Sequence, residues 1–513
     1  MSTHQHREQA SNMAVLHMIN HVLTSRGRIQ RHNRKLKVMT EAEGNNIDEN
    51  DIKMKEDDDE DEDEDEVFKD QGYTRPTVLV LLPTRGACYA FVQRVIQMVD
   101  GDVPKEYLER FDREYGAPED DEEDNVNETE DSVRRHRKKI LQEKGADWQE
   151  LFGDETNNDD DFKIGLALNA KNAKSKGKKE HASNGVGVKL YTDFYGSDFI
   201  VASPLGLKMA LSSESNEGES DFLSSIEICL IDRSDVLMMQ NWDHVNDVLD
   251  SLNLLPKHNN ETDFSRVRNY FLAGHAAHWR QTIFFSTFLD PVILSSFKRF
   301  AKSRSGVLKT RQKVLEDEGS IANVIVPLRQ VFQRIPITSF STASEDRMKH
   351  LTQKILPAIL NNNQKHTLIY IPSYFDFVLL RNYLIKQEAH FVSVTEYSRV
   401  SETSRGRARF LQGRNPLMLY TGRAHFFLRH KIKGIRNLIF FGLPEHQEFY
   451  ADLVNVLNEG LDHLDAEANN SDALISSIAL FTKYEAHALE RIVGTKQSNR
   501  MVKGDKSTFM FLS

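Results

Sequence analysis

The chain has 513 residues, a formal net charge of −11 and 39% hydrophobic residues, which is length enough for several domains with real cores. Its two cysteines, Cys88 and Cys229, lie in apolar stretches, which argues against a disulfide scaffold or a thiolate metal site and suits a reducing compartment. No window approaches the roughly 18 apolar residues of a membrane span, and the polar N-terminus does not read as a signal peptide; the expectation is a soluble intracellular protein with no membrane partner.

In chain order, residues 12–37 place Met13, Val15, Leu16, Met18, Ile19, Val22 and Leu23 at helical spacing. That predicts an amphipathic helix within an N-terminal segment, residues 1–40. From residue 41 charge takes over, and residues 56–66 are unbroken Asp and Glu. Such a block repels itself and buries no apolar area, so residues 41–70 are expected to be disordered, as a solubilising spacer or a lure for basic partners.

Order begins at Pro76. VLVLL (78–82) reads as a buried strand, and Pro83-Thr84-Arg85-Gly86 turns it into a helix. Residues 101–188 then read as a long polar insertion with an acidic patch (119–124), a basic run RRHRKK (134–139) and a lysine-rich piece (171–179). The basic runs suit either a nucleic-acid or nuclear-import patch or a solvated loop face. FIVA (199–202) is the next strand, and Ser203-Pro204-Leu205-Gly206 opens a helix after it.

The apolar run from Ile226 to Ile231, interrupted only by Glu227, has the length of a fully buried parallel strand. It ends on Asp232, at the carboxyl end of the strand, where open α/β sheets hold ligands. QTIFFST (281–287) is another buried strand. After a linker at 330–344, strand runs at 366–372, 389–394, 416–421, 437–443 and 478–481 alternate with helical stretches. Two such halves predict two tandem doubly wound α/β domains, residues 71–330 and 331–513.

Four short signals of the first half fall in the order of a superfamily-two RNA helicase. Pro83-Thr84-Arg85 resembles the PTREL turn, and Ser203-Pro204-Leu205-Gly206 the TPGR turn. Asp232-Arg233-Ser234-Asp235 resembles the DEAD box, and Arg280-Gln281-Thr282 with Ser286-Thr287-Phe288 the RQT–SAT segment. In the second half HTLIYIPSYFDFVLLRNYL (366–384), Thr421-Gly422-Arg423 and NLIFFGLPEHQEFY (437–450) resemble motif IV, motif V and the approach to motif VI. The resemblance implies two RecA-like domains, here carrying acidic disordered insertions. SPLGL, DRSDVLMMQNWDHV, FLAGHAAHWRQTIFFS and LERIVGT (489–495) are similar to one divergent group, the digestive-organ-expansion-factor family. Its members are nucleolar proteins also described as component 25 associated with the U3 small nucleolar RNA. Membership implies a place in the nucleus and nucleolus, in the small-subunit processome that matures 18S ribosomal RNA, without helicase activity. The implied partners are pre-ribosomal RNA, the U3 small nucleolar ribonucleoprotein and other processome proteins.

The residues themselves bear on catalysis. Phosphoryl transfer from ATP needs a phosphate cradle, a held metal ion, an oriented water and positive charge on the transition state. No G-x-x-x-x-G-K-[ST] occurs in the chain, and position 233 is arginine where the water-activating glutamate would stand. A guanidinium accepts no proton near neutral pH, and loss of a general base costs about 10²- to 10⁴-fold in rate. No HRxGRxGR follows Tyr450, and an arginine finger is worth about 10³- to 10⁵-fold. The expectation is a non-catalytic protein with no cofactor; a working ATP-dependent helicase and an acidic protein-interaction adaptor are the alternatives. For RNA contact the candidates are Thr84, Arg85, Ser203 and Gly206 in the two turns, and Arg405, Arg407, Arg409 and Arg423 in an arginine-rich tract. Tyr397, Phe410, Tyr420, Phe426 and Phe427 are interspersed in that tract, as stacking surfaces or as core.

Overall fold

The computed structural model describes residues 3–45, 68–118, 144–153, 156–170, 186–212, 220–258, 262–311, 313–361, 365–461 and 475–512. The acidic runs at 56–66 and 119–124 and the basic stretches at 134–139 and 171–179 lie outside these residues. The chain divides into two compact units, Met1–Lys138 with Gln149–Lys309 and Lys139–Trp148 with Thr310–Ser513.

The sheet of the first unit contains β1 (Val78–Leu81), β2 (Lys163–Ala170), β3 (Val186–Leu190), β4 (Phe199–Ala202), β5 (Ile228–Ile231) and β6 (Gln281–Phe284), in the order β3-β2-β4-β1-β5-β6. The last four strands of that order are parallel. VLVL, FIVA and ICLI are buried throughout, as parallel strands covered on both faces must be. Leu81 lies level with Ala202 and Ile231, so the loops that begin at Leu82, Ser203 and Asp232 open along one edge of the sheet.

One face is covered by helix α1 (Thr3–Asn45) and the Arg85–Met98 helix, where Val15, Met18, Ile19 and Val22 join Cys88, Phe91 and Val92. The N-terminal helix is therefore part of the first unit and not a segment of its own, because its apolar stripe finds its burial on this sheet. Polar side chains fix its register. His21 reaches Glu227 at 2.8 Å, Arg26 lies 3.7 Å from Asp198, and His32 reaches Asp70 at 2.9 Å. Met13 and Leu16 of the predicted stripe stay exposed. The other face is closed by Leu207, Trp242, Val245 and Val248.

The span 101–188 is not a polar excursion throughout. It contains the Lys105–Tyr115 helix and β2, which pairs antiparallel with β4 and with β3. Ile164, Leu166 and Leu168 are buried in β2, between acidic and lysine-rich flanks that hid this short apolar segment from a compositional reading.

The sheet of the second unit holds β7 (Arg329–Arg334), β8 (Thr367–Ile371), β9 (Phe391–Val394), β10 (Leu417–Thr421), β11 (Asn437–Phe440), β12 (Ser476–Phe481) and β13 (Thr508–Leu512), in the order β13-β7-β12-β11-β8-β10-β9. All pairings are parallel except that of β13 with β7. The expected linker at 330–344 thus opens with a sheet strand. RQVFQR looks like a linker because most of its letters are polar, yet Gln330 is buried and accepts the Tyr450 hydroxyl at 2.8 Å. The LERIVGT stretch acts as a clip. Glu490 accepts from the Thr495 hydroxyl and from Arg311, and the Thr495 N–H donates to the Val314 carbonyl at 2.9 Å. Gly494 sits at φ 85°, with no room for a Cβ against Glu316, so glycine is required at that step. The two units are tandem doubly wound α/β domains, as the alternating halves of the sequence predict.

Candidate nucleotide cleft and nucleic-acid interface

At the carboxyl end of β5, Asp232 is buried, and its Oδ1 accepts the Arg233 N–H at 2.8 Å. Burial pushes this carboxyl above its ordinary range, and the Arg233 charge offsets only part of that. Arg233 itself takes a left-handed backbone, φ 51° and ψ 48°, which non-glycine residues adopt at a cost. Its guanidinium donates to Glu150 Oε1, while Arg7 of α1 donates to Glu150 Oε2. One carboxylate is thus held between two guanidiniums. The cleft around them, about 130 Å³, is lined by Ser11 and Arg94 as well, with Arg94 donating to Ser11 Oγ at 2.6 Å. Ser234 is buried and spans back to the Ile231 carbonyl, and Asp235 accepts the Thr287 N–H at 3.2 Å. The Ser234 N–H donates to the Phe285 carbonyl at 2.8 Å, so the two stretches hold each other, and Ser286 Oγ braces its own loop by donating to the Phe288 carbonyl at 2.7 Å.

The two turns after β1 and β4 are roofed by the insertion. Thr84 caps its helix through Ala87 N at 3.3 Å, but the next amides are taken: Arg85 N donates to the Asp159 carbonyl at 2.8 Å and Gly86 N to the Asn157 carbonyl at 2.7 Å. The Arg85 guanidinium pairs with Asp159 at 3.0 Å and donates to the Asp161 carbonyl at 2.8 Å. Ser203 Oγ accepts from Gly206 N at 2.9 Å, and its own N–H donates to the Phe162 carbonyl at 3.0 Å. A Cβ on Gly206 would stand 2.4 Å from that carbonyl, so the backbone of Phe162 lies directly on the glycine. At these two turns the Arg85, Gly86 and Ser203 amides and the Arg85 guanidinium are all met by oxygens of the chain's own insertion.

The second unit differs. Its arginine tract divides in two. Arg407 is half-buried and donates to the Lys431 carbonyl at 2.7 Å, and Arg423 lies 3.5 Å from Glu396, which also accepts the Thr421 hydroxyl at 2.9 Å. Arg405 and Arg409 are exposed on the Val400–Leu411 helix, one turn apart, and neither has a carboxylate partner among the described residues. Of the interspersed aromatics, Phe410, Tyr420 and Phe426 are core, whereas Tyr397 is 68% exposed. Beside it, at the start of the Tyr374–Lys386 helix that follows β8, Tyr374 packs edge-on at 5.4 Å, and Phe375 is 83% exposed. Sequence reasoning passed over Tyr374 and Phe375, although the signal was present as two aromatics directly after a strand. Glu150 and Arg7 had no such signal, since their contacts with each other and with Arg233 join distant parts of the chain.

The profile of the UTP25 NTP hydrolase-like domain matches residues 1–308, and that of the Utp25 C-terminal domain matches residues 320–511. The chain belongs to the UTP25 family. It is 36% identical over 506 residues to Protein NUCLEOLAR FACTOR 1 of Arabidopsis thaliana, covering 98% of this chain and 61% of that one. It is 34% identical over 511 residues to the human U3 small nucleolar RNA-associated protein 25 homolog, covering 99% of this chain and 60% of that protein. The chain therefore spans about three-fifths of these curated UTP25 relatives. Among solved structures, Saccharomyces cerevisiae Dbp5 bound to RNA and ADP BeF3 aligns over 84% of this chain and 76% of its own, at 11% identity and a TM-score of 0.26, a score that carries no weight.

Proposed function

We propose that this UTP25 chain is a non-catalytic, helicase-like component of a nucleolar pre-ribosomal assembly, serving pre-18S ribosomal RNA maturation and gripping RNA through its second unit. The names of its relatives support the setting, the U3 small nucleolar ribonucleoprotein and its processome proteins. The observation that carries the non-catalytic reading is the commitment of Arg233 to Glu150. The position that would activate water is a cation that can accept no proton, and its partner carboxylate in the same cleft would repel phosphate. The residues present do not fit a nucleoside triphosphate: Glu8, Glu150 and Asp232 line the cleft, and its Arg7 and Arg233 guanidiniums are already committed to Glu150. RNA contact is supported by the exposed Tyr397, in the loop after β9, and Phe375, in the first turn of the helix after β8, together with Arg405 and Arg409. With the Arg85 and Ser203 donors taken by the insertion, the Gly206 amide by Ser203 Oγ and Thr84 engaged as a helix cap, these four residues add little to it.

The test uses the purified full chain. No RNA-stimulated phosphate release above background is expected; turnover that disappears with Asp232→Ala would overturn the reading. Arg405→Glu with Arg409→Glu should weaken binding to single-stranded RNA and flatten its salt dependence, because phosphate contacts release counterions. Depletion in cells should lower 18S ribosomal RNA relative to 28S.

A further inference from the structure

The FLAGHAAHW stretch ahead of β6 builds a surface that the reading above leaves unused. Trp279 is 48% exposed. Its indole is stacked on Tyr270, centroids 4.7 Å apart and planes 19° from parallel, and Arg304 lies over the ring at 4.3 Å. The arrangement is anchored by backbone. His278 Nδ1 donates to the Lys302 carbonyl at 3.1 Å, and the Arg304 N–H donates to the His278 carbonyl at 2.9 Å. His275, exposed, sits with its ring 6.4 Å from that of His278. Residues 298–309 hold five Lys or Arg and no Asp or Glu. Lys302 and Arg304 are exposed, with no carboxylate partner among the described residues. This is the amino end of β6, whereas Asp232 and the roofed turns lie at the carboxyl ends of their strands.

We propose that Tyr270, His275, His278, Trp279, Lys302 and Arg304 form a second RNA surface, on the first unit, that takes a single strand. The inference rests on the reading that this chain works on RNA, and extends it to a face with no counterpart in the arginine tract. The stacked column selects planar rings, since bases stack on an aromatic face or on the guanidinium that covers it. The uncompensated cations and the two imidazoles select a polyanion over a neutral protein patch. A duplex buries its ring faces and offers only its phosphates, so single strands are preferred.

The experiment measures anisotropy of a fluorescein-labelled oligouridylate, and of the corresponding duplex, with the full chain, and maps ultraviolet crosslinks by mass spectrometry. Lys302→Glu with Arg304→Glu, both at exposed positions, and separately Trp279→Ala, should each weaken single-strand binding by about tenfold, the range of one lost stacking contact. Crosslinks should fall within residues 270–304, with thermal melting of the double variant unchanged. If the wild type binds and crosslinks only within residues 374–409, this surface is wrong while the second-unit reading stands. If the wild type binds no oligouridylate, both fail. If the double variant keeps RNA affinity but loses a nuclear-extract protein, the surface docks protein and the proposal is overturned.

Discussion

Arg233 and Glu150 carry a prediction at the scale of single residues. Arg233→Glu restores the letter that a helicase would have, yet it sets a third carboxylate beside Glu150 and Asp232. It should lower stability by about 1–2 kcal/mol, a buried-pair loss discounted for partial exposure, and yield no ATP turnover. A double-mutant cycle on Arg233→Ala and Glu150→Ala should show that the double variant loses clearly less melting temperature than the sum of the singles; additive losses would mean the two side chains are not coupled. Asp232 gives the opposite sign. A carboxyl whose folded pKa lies above its unfolded value adds stability below the unfolded value and loses it as pH rises through the folded one. At neutral pH, above the unfolded value, the group is therefore a cost. Asp232→Asn keeps an oxygen for the Arg233 N–H and should leave the melting temperature at pH 7 equal or higher; a clear drop would show that the charge is needed. Asp232 and Arg233 were legible as single letters. Their partner was not, because nothing local marks residue 150 as the one that folds back onto residue 233.

The elements show the same division. β1, β4, β5, β8, β10, β11 and β12 were legible because apolar runs buried on both faces look alike in any doubly wound sheet. β2, β7 and β13 were not. β2 is framed by charge, β7 is mostly polar, and β13 is an edge strand with every second residue exposed. The roof over the turns is an element-scale feature, and Gly206 tests it. Gly206→Ala drives a methyl into the Phe162 carbonyl and should cost about 1–3 kcal/mol as an overpacked site. Amide exchange at Ser203, which donates to that carbonyl, should quicken. Unchanged exchange would mean that Phe162 does not close the turn.

For the whole molecule, the acidic run at 56–66 looks like a natural place to cut, but α1 belongs to the core on its far side. Removing residues 1–45 strips Ala14, Val15, Met18, Ile19 and Val22 from the first unit and leaves Glu227 with Arg268 alone. The fragment should be insoluble or melt well below the full chain; a fragment of equal stability would show that α1 is an ornament. Burial alone would raise Glu227, but the His21 hydrogen bond and the Arg268 charge outweigh it and hold the carboxyl below its ordinary range. Stability from a carboxyl so depressed is complete above its unfolded pKa, about 4.3, and is lost as pH falls through the folded value. Glu227→Gln should therefore reduce the acid sensitivity of unfolding below about pH 4.

The tethered oxygens of Glu150, Asn157, Asp159 and Phe162 have one consequence beyond chemistry. A ligand that is part of the chain is present at an effective concentration set by geometry and not by its supply. The proposal makes this a part whose shape is indifferent to the energy charge of the cell. Its melting curve should superimpose in buffer, in ADP with magnesium and in ATP with magnesium, and a nucleotide-dependent shift would contradict that. A scaffold piece built on those terms would keep its form when adenylate pools fall.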